Sequence, residues 1–337
     1  MNLSELGEGG AIARMAEILQ PGGLPPGWIG IGDDSAVTDL DPGAGESLAG
    51  PPGATVEARR SKVLTTVDML VEGVHFRTET TSAADLGWKA LAVNVSDVFA
   101  TGGHPLWAVV AIALRGDLPA AWLDDLYRGL REAAARFACP IVGGDTVGTP
   151  GPLALSVTVV GTAACPRLRS SARPGDILAV TGPIGLSAAG LWALGHRDAP
   201  LPPDLRERAQ QAHRRPLPPG YSSELATRER MALMDDSDGL GTSARQIAVA
   251  SGVQVVVDAS RLDVADDVAS VAAVAGRDPL EWRLWGGEDY GLIAAISPQE
   301  PLPSGFRSVG RIDTGQGAWL ESSAGRTPLE RGGFRHF

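Results

Sequence analysis

Residues 82–105, SAADLGWKALAVNVSDVFATGGHP, read as one helix with a hard stop. Ser82, with Asp85 three residues on, resembles a capping box in which Asp replaces the usual Glu. Leu86, Ala90, Val93 and Val98 roughly share a face, and Gly102-Gly103-His104-Pro105 ends the element. The predicted helix covers 82–100, and its last turns carry Asn94-Val95-Ser96-Asp97. The C-terminal end of a helix dipole disfavours a carboxylate, so Asp97 calls for a reason other than capping.

Working outward, residues 63–66 predict a short strand that runs into Thr65-Thr66-Val67-Asp68. Residues 107–114 predict a buried strand, 119–137 an amphipathic helix and 153–161 (LALSVTVVG) a further strand. A short helix is expected over 11–19 and a flexible loop over 41–55. Beyond the turn Arg173-Pro174-Gly175-Asp176, strands are expected at 177–181, 253–257 and 291–296, and helices at 187–194 and 241–251. Residues 198–220, rich in Pro and Arg, read as irregular with one short helix. Strands and helices alternate without strict βαβ regularity, which fits an α+β class. A length of 337 residues makes two domains the default. The division is placed as 1–150, an N-terminal β-sheet domain with helices, and 151–337, a C-terminal α/β domain.

The composition, 44% hydrophobic and 20% charged, is enough for a sizeable core. A net charge of −11 argues against nucleic acid as partner, but not against a nucleotide held through divalent metal. Lys62 and Lys89 are the only lysines, so arginine, backbone N–H groups or metal must hold any phosphate. Cys139 and Cys165 suggest neither a disulfide framework nor a zinc site. With no leader pattern at the start and no long apolar run, the expectation is a soluble cytoplasmic protein without a membrane span.

Five acidic clusters carry the chemistry: Gly32-Asp33-Asp34-Ser35, Thr65-Thr66-Val67-Asp68, Asn94-Val95-Ser96-Asp97, Gly143-Gly144-Asp145-Thr146 and Asp235-Asp236-Ser237-Asp238-Gly239. Each alone is an ordinary turn or cap. Together they offer hard carboxylate oxygens from separate segments, as a site for several Mg²⁺ ions requires. Asp238-Gly239-Leu240-Gly241-Thr242 opens a predicted helix, whose free N–H groups suit phosphate. Gly286-Gly287-Glu288-Asp289-Tyr290-Gly291 could aim a carboxylate at a cationic substrate or be a solvated turn. His75 without a visible partner is more often structural than catalytic. Phosphate-loop, protein-kinase, dinucleotide and hydrolase-elbow signatures are all missing.

Seven stretches, in order, resemble the thiamine-monophosphate kinase family of the aminoimidazole-ribonucleotide-synthetase-like superfamily. They are GIGDDSAV (30–37), TTVDMLVEGVHF (65–76), KALAVNVSDVFATGGHP (89–105), IVGGDT (141–146), RSSARPGD (169–176), DDSDGL (235–240) and WGGEDY (285–290). The resemblance implies a two-domain fold of that superfamily and direct in-line transfer of the ATP γ-phosphoryl group to thiamine monophosphate. It implies Mg²⁺ at Asp34, Thr66, Val67, Asp68, Asp97, Asp145, Asp235 and Asp238, with Val67 acting through its carbonyl. It implies ATP contacts from Tyr127, Gly144, Asp145, Arg169 and Ser237, and thiamine monophosphate contacts from His75, Glu288 and Phe334. A homodimer whose N-terminal domains dimerise near the ATP site is implied as well. Val67 replaces a usual threonine, Asp236 a usual apolar residue, and the 41–60 loop is long. Another ATP-dependent enzyme of the superfamily and an idle nucleotide-binding regulator are the alternatives.

Overall fold

The computed structural model describes residues 10, 13, 24, 28–30, 33–39, 61–262, 264, 266–330 and 332–333. The helix expected over 11–19, the 41–60 loop and Phe334 lie outside the described residues.

The first sheet has five strands in the order β1-β2-β5-β3-β4. They are β1 (Ala36–Thr38), β2 (Lys62–Val71), β3 (His104–Leu114), β4 (Ile141–Gly148) and β5 (Ala154–Ala163). Residues in β5 alternate strictly between buried and half-buried, as a strand with one covered face must. Leu155, Val157 and Val159 face the core, together with Val110 and Ile112 of β3 and Leu64 of β2. Helix α1 (Ala83–Ala100) lies on that face, capped by Ser82 as expected: its side chain accepts the Asp85 N–H. Helix α2 (Ala120–Phe137) packs on α1 so closely that only glycine fits at the crossing. A Cβ at Gly129 would lie 1.8 Å from the Ala84 carbonyl oxygen, and one at Gly87 2.1 Å from that of Leu126.

The other face of the sheet is open. Val67 and Met69 of β2, Leu106 and Trp107 of β3, and Val142 and Val147 of β4 are exposed on the strands. The strand at 107–114 is thus half-covered rather than buried, and β2 runs several residues beyond the short strand expected at 63–66.

The second sheet has seven strands in the order β12-β11-β8-β10-β6-β9-β7. They are β6 (Ile177–Thr181), β7 (Met231–Asp235), β8 (Gln254–Asp258), β9 (Leu292–Ile296), β10 (Phe306–Asp313), β11 (Gly317–Ser322) and β12 (Gly325–Pro328). Around it stand α3 (Leu186–Gly195), α4 (Pro203–Arg214), α5 (Leu240–Ser251), α6 (Asp267–Ala275) and α7 (Pro279–Trp285). Helix α4 occupies much of the segment read as irregular. Its prolines sit at Pro202 and Pro203, where a helix start tolerates them, rather than breaking it. Strand β5 belongs to the first sheet, so the change of sheet falls between 163 and 177 and not at 150.

One hydrophobic cluster joins the sheets. Val95, Val98 and Phe99 of α1 pack in it with Met231 and Leu233 of β7 and Ala294 and Ile296 of β9. Helix α1 is therefore sandwiched, and its C-terminal turns meet the ends of β2 and β7 together. The architecture is α+β. No helix among the described residues is long and apolar enough to cross a membrane.

Candidate active site

Three acids from three segments converge where α1 is sandwiched. Asp34 precedes β1, Asp97 lies in the last turn of α1 and Asp235 ends β7, and one carboxylate oxygen from each lies within 4.8 Å of the others. The chain holds them with hydrogen bonds drawn mostly from α1. Ser96 Oγ donates to Asp235 Oδ2 at 2.6 Å. Thr66 Oγ1 donates to Asp97 Oδ2. The Asp68 backbone N–H donates to Asn94 Oδ1 at 2.8 Å, fixing the strand that carries Thr66 and Asp68. Arg169 donates through Nη2 to Asp34 Oδ1 at 2.6 Å and through Nη1 to Gln246 Oε1 at 2.9 Å. Asp34 Oδ2 is buried without a hydrogen-bond partner among the described residues.

The electrostatics record the crowding. Burial, then the charges of Asp68, Asp235 and Asp34, push Asp97 well above the ordinary 3.8. Burial also raises Asp34 well above that value, against the pull of Arg169. Asp235 is pushed up to about 6, mainly by burial, with the Ser96 hydrogen bond opposing and Asp68 and Asp238 adding repulsion. Asp68 is raised by burial and by Asp238. Two carboxylates at about this spacing repel by about 3–4 kcal/mol at an effective dielectric of about 20. A buried acid cluster with an orphaned oxygen fits a hard divalent cation, which satisfies acceptors and charge at once.

A second group of charges sits beside the cage. The loop 286–291 packs on the loop 236–239: Glu288 N–H donates to Ser237 O at 2.6 Å and Tyr290 N–H to Asp236 O at 3.1 Å. Gly287 has φ +65°, and a Cβ there would lie 2.6 Å from Ser237 O, so the turn requires glycine. The turn delivers Glu288 to Lys89 Nζ at 2.7 Å and to His213 Nδ1 at 3.4 Å. Burial opposes ionisation of Glu288, but Lys89 and then His213 and His75 draw it below its ordinary range. His213, which also meets Ser187 Oγ at 3.0 Å, is lowered to about 4 by burial and Lys89. His75 accepts the Val71 N–H on Nδ1 at 3.0 Å, which leaves its other ring nitrogen as donor.

Several expected site residues stand elsewhere. Asp145 is exposed on β4, with two strands between it and β2, and its carboxylate accepts the Thr146 N–H. In register it lies beside Ala111, Ser156 and Met69, the open face of the sheet, opposite to Thr66 and Asp68. It does not join Asp34, Asp97 and Asp235 within this chain. Gly144 shares its exposed strand, and Tyr127 is exposed on α2. The Val67 side chain is 59% exposed on the open face, so only its backbone faces the cage side. Arg169 clamps Asp34 and lies 3.5 Å from Asp33 rather than projecting free, and Ser237, next to Asp238 in sequence, accepts the Glu288 N–H on its carbonyl. Lys89, Asn94, Ser96 and His213 were given no role from sequence. The signal available for Lys89 was a lysine within an apolar helical run, in a chain with two lysines.

Three comparisons bear on this geometry. The family model described as AIR synthase related protein, N-terminal domain, matches residues 32–163. The thiamine-monophosphate kinase of Mycobacterium tuberculosis (strain CDC 1551 / Oshkosh) is 39% identical over 269 residues, 78% of each chain. That of Aquifex aeolicus (strain VF5) is 32% identical over 338 residues, covering 100% of both. A solved structure, AaThiL complexed with AMPPCP and TMP, matches 100% of this chain and 99% of that one, with a TM-score of 0.85 and 31% identity. The likeness extends through both sheets and every segment that feeds the cage, and so the chain belongs to the thiamine-monophosphate kinase family and is a kinase.

Proposed function

We propose that the chain transfers the γ-phosphoryl group of ATP directly, in line, to thiamine monophosphate, giving ADP and thiamine diphosphate with the help of several Mg²⁺ ions. The carboxylate cage carries this reading: three acids within 4.8 Å, Asp235 buried and Asp34 and Asp97 partly buried, and an orphaned Asp34 oxygen. Asp34, Asp97 and Asp235 would hold Mg²⁺, flanked by Asp68, Asp238, Thr66 and the Val67 carbonyl. Bound Mg²⁺ supplies neutralisation between two phosphorylated reactants that otherwise repel. The chain's own contribution is positioning. Arg169 and the uncapped N-terminus of α5, where Gly239 offers no side chain, suit ATP phosphates together with Ser237. Glu288, kept ionised by Lys89, suits the cationic body of thiamine, with His75 and Phe334 at the same substrate. The acceptor phosphate is already ionised at neutral pH, so the transfer needs no general base.

The chain up to β5 is the proposed ATP, Mg²⁺ and dimerisation domain, and the remainder completes the phosphate and substrate site. The open apolar face of the first sheet supports a homodimer, because such a patch favours burial by a second copy. Gly144 and Asp145 then act on nucleotide or metal across that contact rather than at their own chain's cage, while Tyr127, on α2 over the covered face, would contact ATP from the other side of the sheet. An ATP-dependent step of this kind suits a cytoplasmic protein. The test is purified protein with ATP and Mg²⁺, given thiamine monophosphate in one arm and thiamine in the other. Thiamine diphosphate and ADP are expected in the first arm alone. No product above a no-enzyme control would overturn the assignment.

A further inference from the structure

The loop that delivers Glu288 holds a second polar side chain, that of Tyr290. The chain there runs antiparallel to the acid turn. Besides the bonds from Glu288 and Tyr290 already described, the Asp236 N–H donates to Gly291 O at 2.8 Å, and Asp235 pairs with Leu292. Tyr290 thus lies across from Asp236, between Glu288 and the strand end that bears Asp235. Its backbone is left-handed, with φ +51°, and that of Glu288 has φ +57°. Ala138 is the only other non-glycine residue with positive φ among the described residues. A bulky side chain is an outlier in that region, and such a conformation persists only where the surroundings over-determine it. The hydrogen bonds that lace the two loops supply that constraint.

The Tyr290 side chain is 8% exposed, and no described residue is hydrogen-bonded to its hydroxyl. That oxygen is not among the fully buried unpaired atoms, so part of the remaining exposure belongs to it. The donors around it are engaged: Thr66 donates to Asp97, Ser96 to Asp235 and Lys89 to Glu288. The carboxylates that act on the phenol come from both charge groups, Glu288 first and then Asp68, Asp235 and Asp97, which places the ring between the two. Burial and those charges push it well above the ordinary 10, so the hydroxyl remains a donor at neutral pH. An open donor in that place suits an acceptor that spans the Glu288 group and the cage. Thiamine monophosphate has that form, with a cationic ring at one end and phosphate oxygens, which only accept when ionised, at the other.

We propose that the Tyr290 hydroxyl donates a hydrogen bond to the phosphate of thiamine monophosphate and so fixes the acceptor between Glu288 and the cage. This contact rests on the phosphotransfer reading and adds a substrate-binding residue to it. Tyr290→Phe removes one oxygen and no bond within the described protein, so its melting temperature should match wild type. The measurement is calorimetric titration of thiamine monophosphate, and separately of thiamine, into the full-length protein with Mg²⁺, alongside steady-state kinetics. Tyr290→Phe should weaken thiamine monophosphate by about tenfold, because a bond to a charged acceptor is lost, and leave thiamine unchanged. KM for thiamine monophosphate should rise by a similar factor, with KM for ATP unchanged. Unaltered binding of thiamine monophosphate, or an equal loss for thiamine, would overturn the contact. A lowered melting temperature accompanying the loss would mark the hydroxyl as structural and overturn it as well. Wild-type protein that makes no thiamine diphosphate would overturn the phosphotransfer reading itself, and the contact with it; active wild type with an unaltered variant overturns the contact alone.

Discussion

Asp34, Asp97 and Asp235 crowd within 4.8 Å against one guanidinium, that of Arg169, whereas Glu288 next door meets Lys89 at 2.7 Å and His213 at 3.4 Å. Both groups are carboxylates in low-dielectric surroundings, yet their titration moves in opposite directions. In the cage, burial and mutual repulsion outweigh the arginine, and the acids are raised. At Glu288 the lysine outweighs burial, and the acid stays ionised. The cage is incomplete as protein alone and suits a cation that arrives. The Glu288 group is complete as protein and suits holding one carboxylate in a fixed place and charge state.

The comparison breaks most visibly at Asp97. Asp97→Ala should lower ADP formation by about 1,000-fold, because a ligand carboxylate and its charge are both lost. Near-normal turnover would remove Asp97 from the metal site. Asp145→Ala should also be inactive, but for a different reason if Asp145 acts across a dimer contact. Random reassortment of the two variants then makes half the dimers mixed, each with one intact site, so about a quarter of wild-type activity returns. A mixture as inactive as its parents would rule out the crossed arrangement.

At the balanced group, Lys89→Met should cost about 3 kcal/mol in urea unfolding, since it strands Glu288 without its partner. The double variant with Glu288→Gln should recover much of that loss, and additive losses would show that the pair is not the source.

The pH response sharpens the contrast. Asp235 rises from the ordinary 3.8 to about 6, so between those values the folded state binds more protons than the unfolded chain. Metal-free stability therefore falls as pH rises through that window. His213 drops from 6.5 to about 4, so it binds fewer protons when folded, and its contribution is lost as pH falls through the same region. Metal-free Asp235→Asn should consequently exceed wild type in stability by about 2 kcal/mol at pH 7, and by little at pH 4. Mg²⁺ should reverse the ranking at pH 7, because it binds the intact cage better. A melting series at both pH values, with and without Mg²⁺, decides this. The smallest effect is expected for Val67→Thr, under about threefold in turnover, since that side chain lies on the open face. A large gain would mean that the restored hydroxyl reaches a metal.

Much of this was legible beforehand. The helix at 82–100 and the strand at 177–181 follow from apolar period, caps and turn residues, all local. Strands β4 and β7 are not legible in the sequence, because their segments, IVGGDTVG and MALMD, lack the alternating run that marks a half-covered strand. Helix α4 is hidden in the sequence because its prolines, placed at a helix start, look like breaks. Asp34, Asp97 and Asp235 were named as ligands, but Ser96, Asn94 and Lys89 were not. A hydrogen bond between Ser96 and Asp235 spans 139 positions, and no local pattern encodes it.

The sequence by itself determined which segments carry acids, which are helical and which family they resemble, because those properties rest on neighbouring residues. Tertiary structure alone decided which acids meet. It put Asp235 with Asp97 and turned Asp236 the other way, because adjacent residues of an extended chain face opposite ways. It put Asp145 on the open face for the same reason, since strand register and not sequence order selects the side of a sheet.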